Sequence, residues 1–291
     1  MTAVATPGVS VVVPTYRRRA ALERCLQALR GQDWPPADLE IVVVNDGGPT
    51  WQPPQGLDGV RVVHQANQGP AAARNRGAAV AKGRWLAFVD DDCAPEPPWL
   101  RRMIQPLVGC PEALVGGQTV NGLGDNVYAE ASQLINSYLY ERFNGDPDRA
   151  RYLASNNLAV GKGAFLALGG FDEGFRTGED RDLCRRWEAS GRPMVYVADA
   201  LVNHYHPLTL TRFWRQHLGY GRGSCRYRRR GAGETPAVRR LEGVRFYLDL
   251  LRYPLARARR RPWATTALVA LAQGATAAGY ALEILAGEDP P

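Results

Sequence analysis

The sequence predicts an α/β fold with a mostly parallel central sheet flanked by helices, followed by a helical C-terminal extension. Three observations predict it. Apolar runs of strand length alternate with helically spaced segments from Val9 to Thr119. One of these runs, Trp85-Leu86-Ala87-Phe88-Val89, ends in three successive carboxylates, Asp90-Asp91-Asp92. Beyond His206 the chain reads as helical and rich in arginine.

The elements follow in order. Val9 to Val13 is a β-branched run stopped by Pro14, and Ala21, Leu22, Cys25, Leu26 and Leu29 recur at helical spacing between Arg17 and Arg30. Leu39 to Val44 is a second buried strand that ends in the turn-forming Asn45-Asp46-Gly47-Gly48, and Val60 to His64 is a third. Gly69-Pro70 opens an alanine-rich helix through Ala81, and Arg84 to Val89 is the fourth strand. Strands alternating with helices imply right-handed βαβ units and a parallel sheet. The rhythm then loosens: a helix near Trp99–Leu107, a strand near Ala113–Thr119 and a polar, aromatic-rich helix around Val127–Arg142. Leu153 to Val160, Pro193 to Val197 and Ala200 to Val202 read as strands, with a helix from about Glu179 to Ala189. Residues 1–120 are read as a nucleotide-type half, 121–205 as a half that binds something else, and 206–291 as a separate region.

The 291 residues, 45% of them hydrophobic, suffice for one large domain or two small ones. Five scattered cysteines, none in a CxxC pair, read as reduced thiols and not as a disulfide frame or zinc site. No basic stretch followed by an apolar one opens the sequence, so a cytoplasmic location is expected. The formal charge of +7 is uneven: from Arg212 to Arg261, fifteen arginines face Glu234, Glu242 and Asp249 for a net +12, leaving −5 elsewhere. Such a segment suits nucleic acid, anionic headgroups, a phosphorylated substrate or a solvated surface. Trp263 to Leu285 approaches the roughly 20 residues of a bilayer span, but it is rich in alanine and glycine. It is read as a core or dimer helix, with an interfacial helix or a true span as alternatives. The chain is therefore expected to be soluble or peripheral at the inner face of the membrane.

Three adjacent aspartates need a cation. On an extended backbone Asp90 and Asp92 share one side and Asp91 points to the other, which gives two hard oxygen ligands for Mg²⁺ or Mn²⁺. A solvated acidic loop is the alternative. The strand in front favours a site, because ligands of open α/β sheets bind beyond the carboxyl ends of the strands.

Five pieces, SVVVPTYRR, IVVVNDGG, NQGPAAARNRG, LAFVDDDC and GGFDEGFRTGEDRDLCRRW, stand in an order that resembles the inverting family 2 glycosyltransferases of the GT-A fold, over residues 9 to about 205. The resemblance implies a metal-dependent transfer of sugar from a nucleoside-diphosphate donor, a UDP-sugar most of all, to a hydroxyl acceptor. No nucleic-acid partner is expected, and a homodimer is compatible with it. It makes 1–120 the nucleotide-sugar half and 121–205 the acceptor half. Pro14, Thr15 and Tyr16 would meet base and ribose. Asp46 would accept a hydrogen bond from the base, or serve as a turn residue. Arg74, a charge inside an apolar helix, would reach the nucleotide or Asp46, or form a structural ion pair. By the same resemblance Asp90 contacts the donor and shares the metal, Asp92 is the principal ligand, and Asp91 lies on the donor side and matters least to the metal. Asp180 is the general base with Glu179 orienting it or the acceptor, and His204 is an additional metal ligand. Thr177-Gly178-Glu179-Asp180 also reads as a helix N-terminus, where acids are favoured, and the two readings are compatible. Gly169-Gly170-Phe171-Asp172 would form the floor of the acceptor cleft, or a plain turn.

Competing functions fit less well. A nicotinamide dehydrogenase needs Gly-x-Gly-x-x-Gly after the first strand, where this chain has Pro14-Thr15-Tyr16-Arg17-Arg18-Arg19. Gly219, Gly221 and Gly223 come too late, and Gly161-Lys162-Gly163 is not a phosphate loop. A sugar nucleotidyltransferase usually carries a glycine-rich basic loop after its first strand, which is absent. A non-catalytic donor-binding scaffold with a basic partner-binding tail has no use for Asp92 and Asp180.

Overall fold

The computed structural model describes residues 8–53, 56, 59–231 and 242–287. The expected absence of a leader falls mostly on residues 1–7, and part of the basic segment on 232–241, both outside the described residues. The chain divides into two compact units, Met1–Val120 with Phe143–Tyr205, and Asn121–Arg142 with His206–Pro291.

The first unit is built on an eight-stranded sheet. Its strands are β1 (Val9–Thr15), β2 (Leu39–Asp46), β3 (Val60–Gln65), β4 (Trp85–Val89), β5 (Cys93–Pro95), β6 (Leu114–Asn121), β7 (Asn157–Gly161) and β8 (Met194–His204), in the order β3-β2-β1-β4-β7-β6-β8-β5. β1 pairs parallel with β2 and β4, and β2 with β3. The inner strands are the continuous apolar runs: every residue of β1 and β4 is buried, as parallel strands covered on both faces require, whereas β3 at the edge is only half-buried. From β4 outward the pairings recorded for β7 with β4 and β6, and for β5 with β8, are antiparallel. The sheet is mixed, with its parallel strands at one side, as the expected mostly parallel sheet allows.

Helices α1 (Arg19–Arg30), α2 (Pro70–Val80) and α3 (Trp99–Gly109) follow the strands as crossovers. In α1 the buried Leu22, Cys25, Leu26 and Leu29 stand at i, i+3, i+4 and i+7, one face of a helix. Two short elements escaped the sequence pattern: β5, only three residues long, and α5 (Lys162–Ala167). β8 is one strand where two were expected, because the exposed Ala198-Asp199 interrupts the apolar run without interrupting the backbone pairing. The strand expected from Leu153 begins instead at Asn157, since Leu153 turns in to fill the space above Gly116. α6 (Glu179–Ala189) buries Leu183, Cys184 and Trp187 in the core around Phe88 and Phe165.

The second unit is helical: α4 (Val127–Phe143), α7 (Leu210–Arg230), α8 (Val244–Arg257) and α9 (Pro262–Leu285). The segment 121–142 groups here and not with an acceptor half ending at 205, because Ala131 and Tyr138 of α4 share a core with Phe213, Leu250, Val269 and Ala272. The late glycines have a packing role. A Cβ on Gly221 would lie 2.0 Å from the carbonyl oxygen of Thr276, and one on Gly279 2.0 Å from that of Leu218, so α7 and α9 touch backbone to backbone. α9 is, among the described residues, the one helix long and apolar enough to cross a membrane. One stripe of it, Thr265, Val269, Ala272, Ala275, Gly279 and Glu283, is buried, and Glu283 accepts a 2.5 Å hydrogen bond from Arg226 of α7.

Candidate active site

The buried β4 delivers Asp90-Asp91-Asp92 to the carboxyl end of the sheet, and the chain turns there into β5, whose Cys93 faces His204 of β8. The turn sends the three carboxylates apart. Asp91 points inward, wholly buried, accepting a 2.6 Å bond from the Thr15 hydroxyl and lying 2.8 Å from Arg18 Nη2. Burial pushes its pKa up to about 7 against the pull of Arg18 and Thr15. Asp92 presents Oδ2 to Arg18 Nη1 at 2.5 Å and Oδ1 to His204 Nε2 at 3.3 Å, while its carbonyl accepts the Tyr205 N–H. Asp90 turns to Arg74 Nη2 at 2.5 Å.

Arg74 is the hinge of the arrangement. It projects from α2, is almost completely buried, and its second nitrogen, Nη1, donates to Glu179 Oε1 at 2.9 Å. A single guanidinium therefore joins the acid cluster after β4 to the acid pair that opens α6. Its ring neighbour is Phe171, with Arg74 Cζ 5.6 Å from the centroid. Asn75, the next residue of α2, clamps the Phe171 backbone by donating to its carbonyl at 2.8 Å and accepting its N–H at 2.9 Å. Gly170 must be glycine there: its φ is +68°, and a Cβ would lie 2.6 Å from Asn75 Oδ1. Gly169-Gly170-Phe171 is thus the turn that supports Arg74.

Gly178, left-handed at φ 89°, starts α6 so that Glu179 and Asp180 occupy its first turn. Glu179 also lies 3.3 Å from the Ser155 hydroxyl. Asp180 accepts the Arg181 N–H at 2.8 Å and is half-buried, unlike its neighbour. Burial raises the pKa of both carboxyls, the Asp180 charge adds to the rise at Glu179, and Arg74 opposes it at each. Such a pair titrates jointly.

On the donor side, Thr15 is committed to Asp91, Pro14 is buried within β1, and Tyr16 is left exposed with Arg17 5.1 Å from its ring. Asp46 is buried. Its Oδ1 accepts from Gln65 Nε2 and the Gln68 N–H, and its Oδ2 from the Gly69 N–H, all within 2.8–2.9 Å. It fastens the turn between β3 and α2, and of the roughly four acceptor positions of a carboxylate about one remains for a ligand. No bond joins Asp46 to Arg74 among the described contacts.

Could the residues hold a cation? Potential ligand atoms of Asp92, Cys93 and His204 lie within 4.8 Å of one another. The Cys93 thiol is a poor member, since burial and the charges of Asp92 and Asp90 push its pKa well above the usual thiol range. Asp92 and His204 remain, an oxygen from the turn before β5 and a nitrogen from the end of β8, and this donor set fits Mn²⁺ or Mg²⁺ with open positions for water or phosphate. Asp90, expected to share the metal, is turned away to Arg74. Sequence reasoning missed Arg18 and Ser155. An arginine in the run Arg17-Arg18-Arg19 carries no pattern that tells which one reaches the aspartates, and Ser155 sits in a turn that was read as strand.

Known proteins resemble this chain in sequence and in fold. The family model for Glycosyl transferase family 2 matches residues 10–166. The pre-mycofactocin glycosyltransferase of Mycobacterium tuberculosis is 30% identical over 222 residues, covering 73% of this chain and 46% of that protein. This chain thus spans about half the length of that relative. Among solved structures, the mannosyltransferase PcManGT of Pyrobaculum calidifontis, in complex with GDP-Man and Mn²⁺, superposes with a TM-score of 0.60 at 17% identity, covering 97% of this chain and 80% of that one. GalNAc-T7 with UDP, GalNAc and Mn²⁺ gives 0.57 at 16% identity, covering 83% and 54%. The chain belongs to glycosyl transferase family 2 and has the GT-A fold.

Proposed function

We propose that this chain transfers a sugar, with inversion, from a nucleoside-diphosphate donor to a hydroxyl acceptor, using a divalent cation held by Asp92 and His204. The observation that carries the reading is Arg74, which ties Asp90 on the donor side to Glu179 on the acceptor side through bonds of 2.5 and 2.9 Å. The bound cation would neutralise charge gathering on the departing diphosphate. The protein's own groups do the rest. Asp180 takes the proton of the attacking hydroxyl, and burial makes it a stronger base than an ordinary aspartate. Glu179, fixed by Arg74 and Ser155, orients the acceptor. Asp90 accepts from the ribose or contacts the diphosphate, the exposed Tyr16 ring covers the base, and the free position on Asp46 reads it. Attack opposite the leaving group in a single displacement gives inversion.

Neighbours of the same fold hold GDP-mannose in one case and UDP in the other, which supports a nucleoside-diphosphate donor. We favour a UDP-sugar. The test is a panel of UDP- and GDP-sugars with Mn²⁺ or Mg²⁺, read by donor hydrolysis and by the anomeric signal of any transfer product. Asp92→Ala should lose donor binding, whereas Asp180→Asn should retain it and lose transfer. Transfer by Asp180→Asn at the wild-type rate would remove Asp180 as the base.

A further inference from the structure

Helix α8 is apolar on two faces. Leu250 and Pro254 are buried in the core of the helical unit, with Phe246, Leu251 and Tyr253 packed against it. The opposite side carries Val244, Leu248 and Leu255, at i, i+4 and i+11, exposed at 75%, 46% and 42%, with Tyr247 beside them at 36%. A helix with apolar residues on both sides is normally covered on both, and among the described residues this outer stripe is exposed.

The surroundings say what would cover it. Arg245 and Arg252, seven residues apart, run along one flank of the stripe, both exposed. From Val244 to Trp263 there are six arginines against the single acid Asp249. Among the described residues their ion pairs are at the surface: Arg245 lies 3.7 Å from Asp249, Arg257 pairs with Glu141, and Arg260 with Asp125. An apolar stripe edged by long cationic side chains is the arrangement of a helix lying in a bilayer interface, its leucines among the acyl chains and its guanidinium groups at the phosphates. A second copy of the chain would bring the same arginines together across a two-fold axis and repel itself. Nucleic acid would use the arginines and leave the leucines in water. The outward face of α9 offers less to a membrane over most of its length, where Ala264, Ala267, Ala270, Gly274 and Ala277 are its exposed residues.

We propose that the outer face of α8 docks the protein onto an anionic lipid surface, in the plane of the interface and without crossing it. The full chain is floated with phosphatidylcholine vesicles, with or without about a third phosphatidylglycerol, in about 0.1 M and 0.5 M salt. Wild type should partition onto the anionic vesicles about tenfold or more above the neutral ones, and less in high salt. Leu248→Ser with Leu255→Ser should lower anionic-vesicle binding about tenfold. Arg245→Gln with Arg252→Gln should lower it several-fold and flatten the salt dependence. Because all four side chains are at the surface, circular dichroism and donor hydrolysis in solution should stay at wild-type values, which separates lost docking from lost folding. Vesicle binding indifferent to the two leucines would overturn the proposal. So would failure of the wild type to bind, binding of RNA that phosphatidylglycerol vesicles cannot displace, or a dimer in light scattering that the leucine pair dissociates.

Discussion

Replacing Arg74 by methionine tests the centre of the site. The guanidinium is buried and shared by Asp90, which is partly solvated, and Glu179, which is not. Removing it strands the Glu179 carboxylate beside Asp180 in a buried position, and breaking a buried pair this way costs about 3–5 kcal/mol. The cost depends on pH. With Arg74 present the Glu179 pKa is already raised to about 7 by burial and by Asp180. Near pH 8 the variant must therefore either bury an unpaired charge or take up a proton, and near pH 5.5 the carboxyl is neutral in both proteins and the difference shrinks. Glu179→Gln in the same background removes the stranded charge and should recover about 2 kcal/mol or more of the loss at pH 8. A chain of two units need not unfold in one step, so the assay is amide exchange in α2 and α6 and not a single melting curve. If Arg74→Met and Glu179→Gln prove additive in that assay at pH 8, the two side chains are not coupled and the bridge through Arg74 is wrong.

Other expectations concern metal, pH and helix packing. Arg18 occupies Asp91 and Asp92, so Arg18→Ala should raise the affinity for Mn²⁺ alone several-fold, read by electron paramagnetic resonance, while His204→Ala and more strongly Asp92→Ala should lower it. His217 of α7 is buried between Phe213 and Tyr220, with no hydrogen-bond partner for Nε2 among the described residues, and burial lowers its pKa to about 4. The unfolded chain binds the proton first, so stability is intact above pH 6.5 and falls as pH drops toward 4. The loss is about 3 kcal/mol at most. It should appear as faster amide exchange in α7 and α9, and His217→Phe should abolish this histidine's part of the pH dependence. Gly279→Ala forces a Cβ against the Leu218 carbonyl and should destabilise the helical unit by about 1–3 kcal/mol or more, measured the same way.

The parallel half of the sheet was legible because β1, β2 and β4 are largely buried apolar runs and the half-exposed β3 still carries three valines in six residues. The antiparallel half was not, because there the strands are short or interrupted and the pairing is decided by distant partners. β5 pairs in the sheet with the distant β8, and no local pattern in Cys93-Ala94-Pro95 announces it. The segment 127–142 was read correctly as a helix and grouped with the wrong neighbours, since an amphipathic pattern states that a face is buried without saying against what.

The same distinction governs the site. Which residues carry chemistry was readable from motifs, but which of them touch was not, because charge partners are set by where the backbone ends point. Alternation along a strand put Asp90 and Asp92 together on one side. The backbone, however, leaves the strand at Asp90, and the two carboxylates separate toward Arg74 and toward Arg18 with His204. That separation changes what each does. Asp92 is left with the imidazole and an arginine that a cation could displace, whereas Asp90 is bound to a buried arginine that also holds Glu179. A charge arriving at Asp90 is therefore felt at the pair that includes the proposed base, because both compete for one guanidinium. Donor binding that draws Arg74 toward Asp90 or the diphosphate weakens its hold on Glu179 and raises the basicity of the Glu179–Asp180 pair. On this reasoning the pH profile of transfer at saturating donor should have its basic-form limb shifted upward relative to that of the free enzyme, and Arg74→Lys, which cannot hold two carboxylates in one plane, should shrink the shift. Identical limbs in the two profiles would mean that Arg74 is a fixed strut and carries no signal between the two sides.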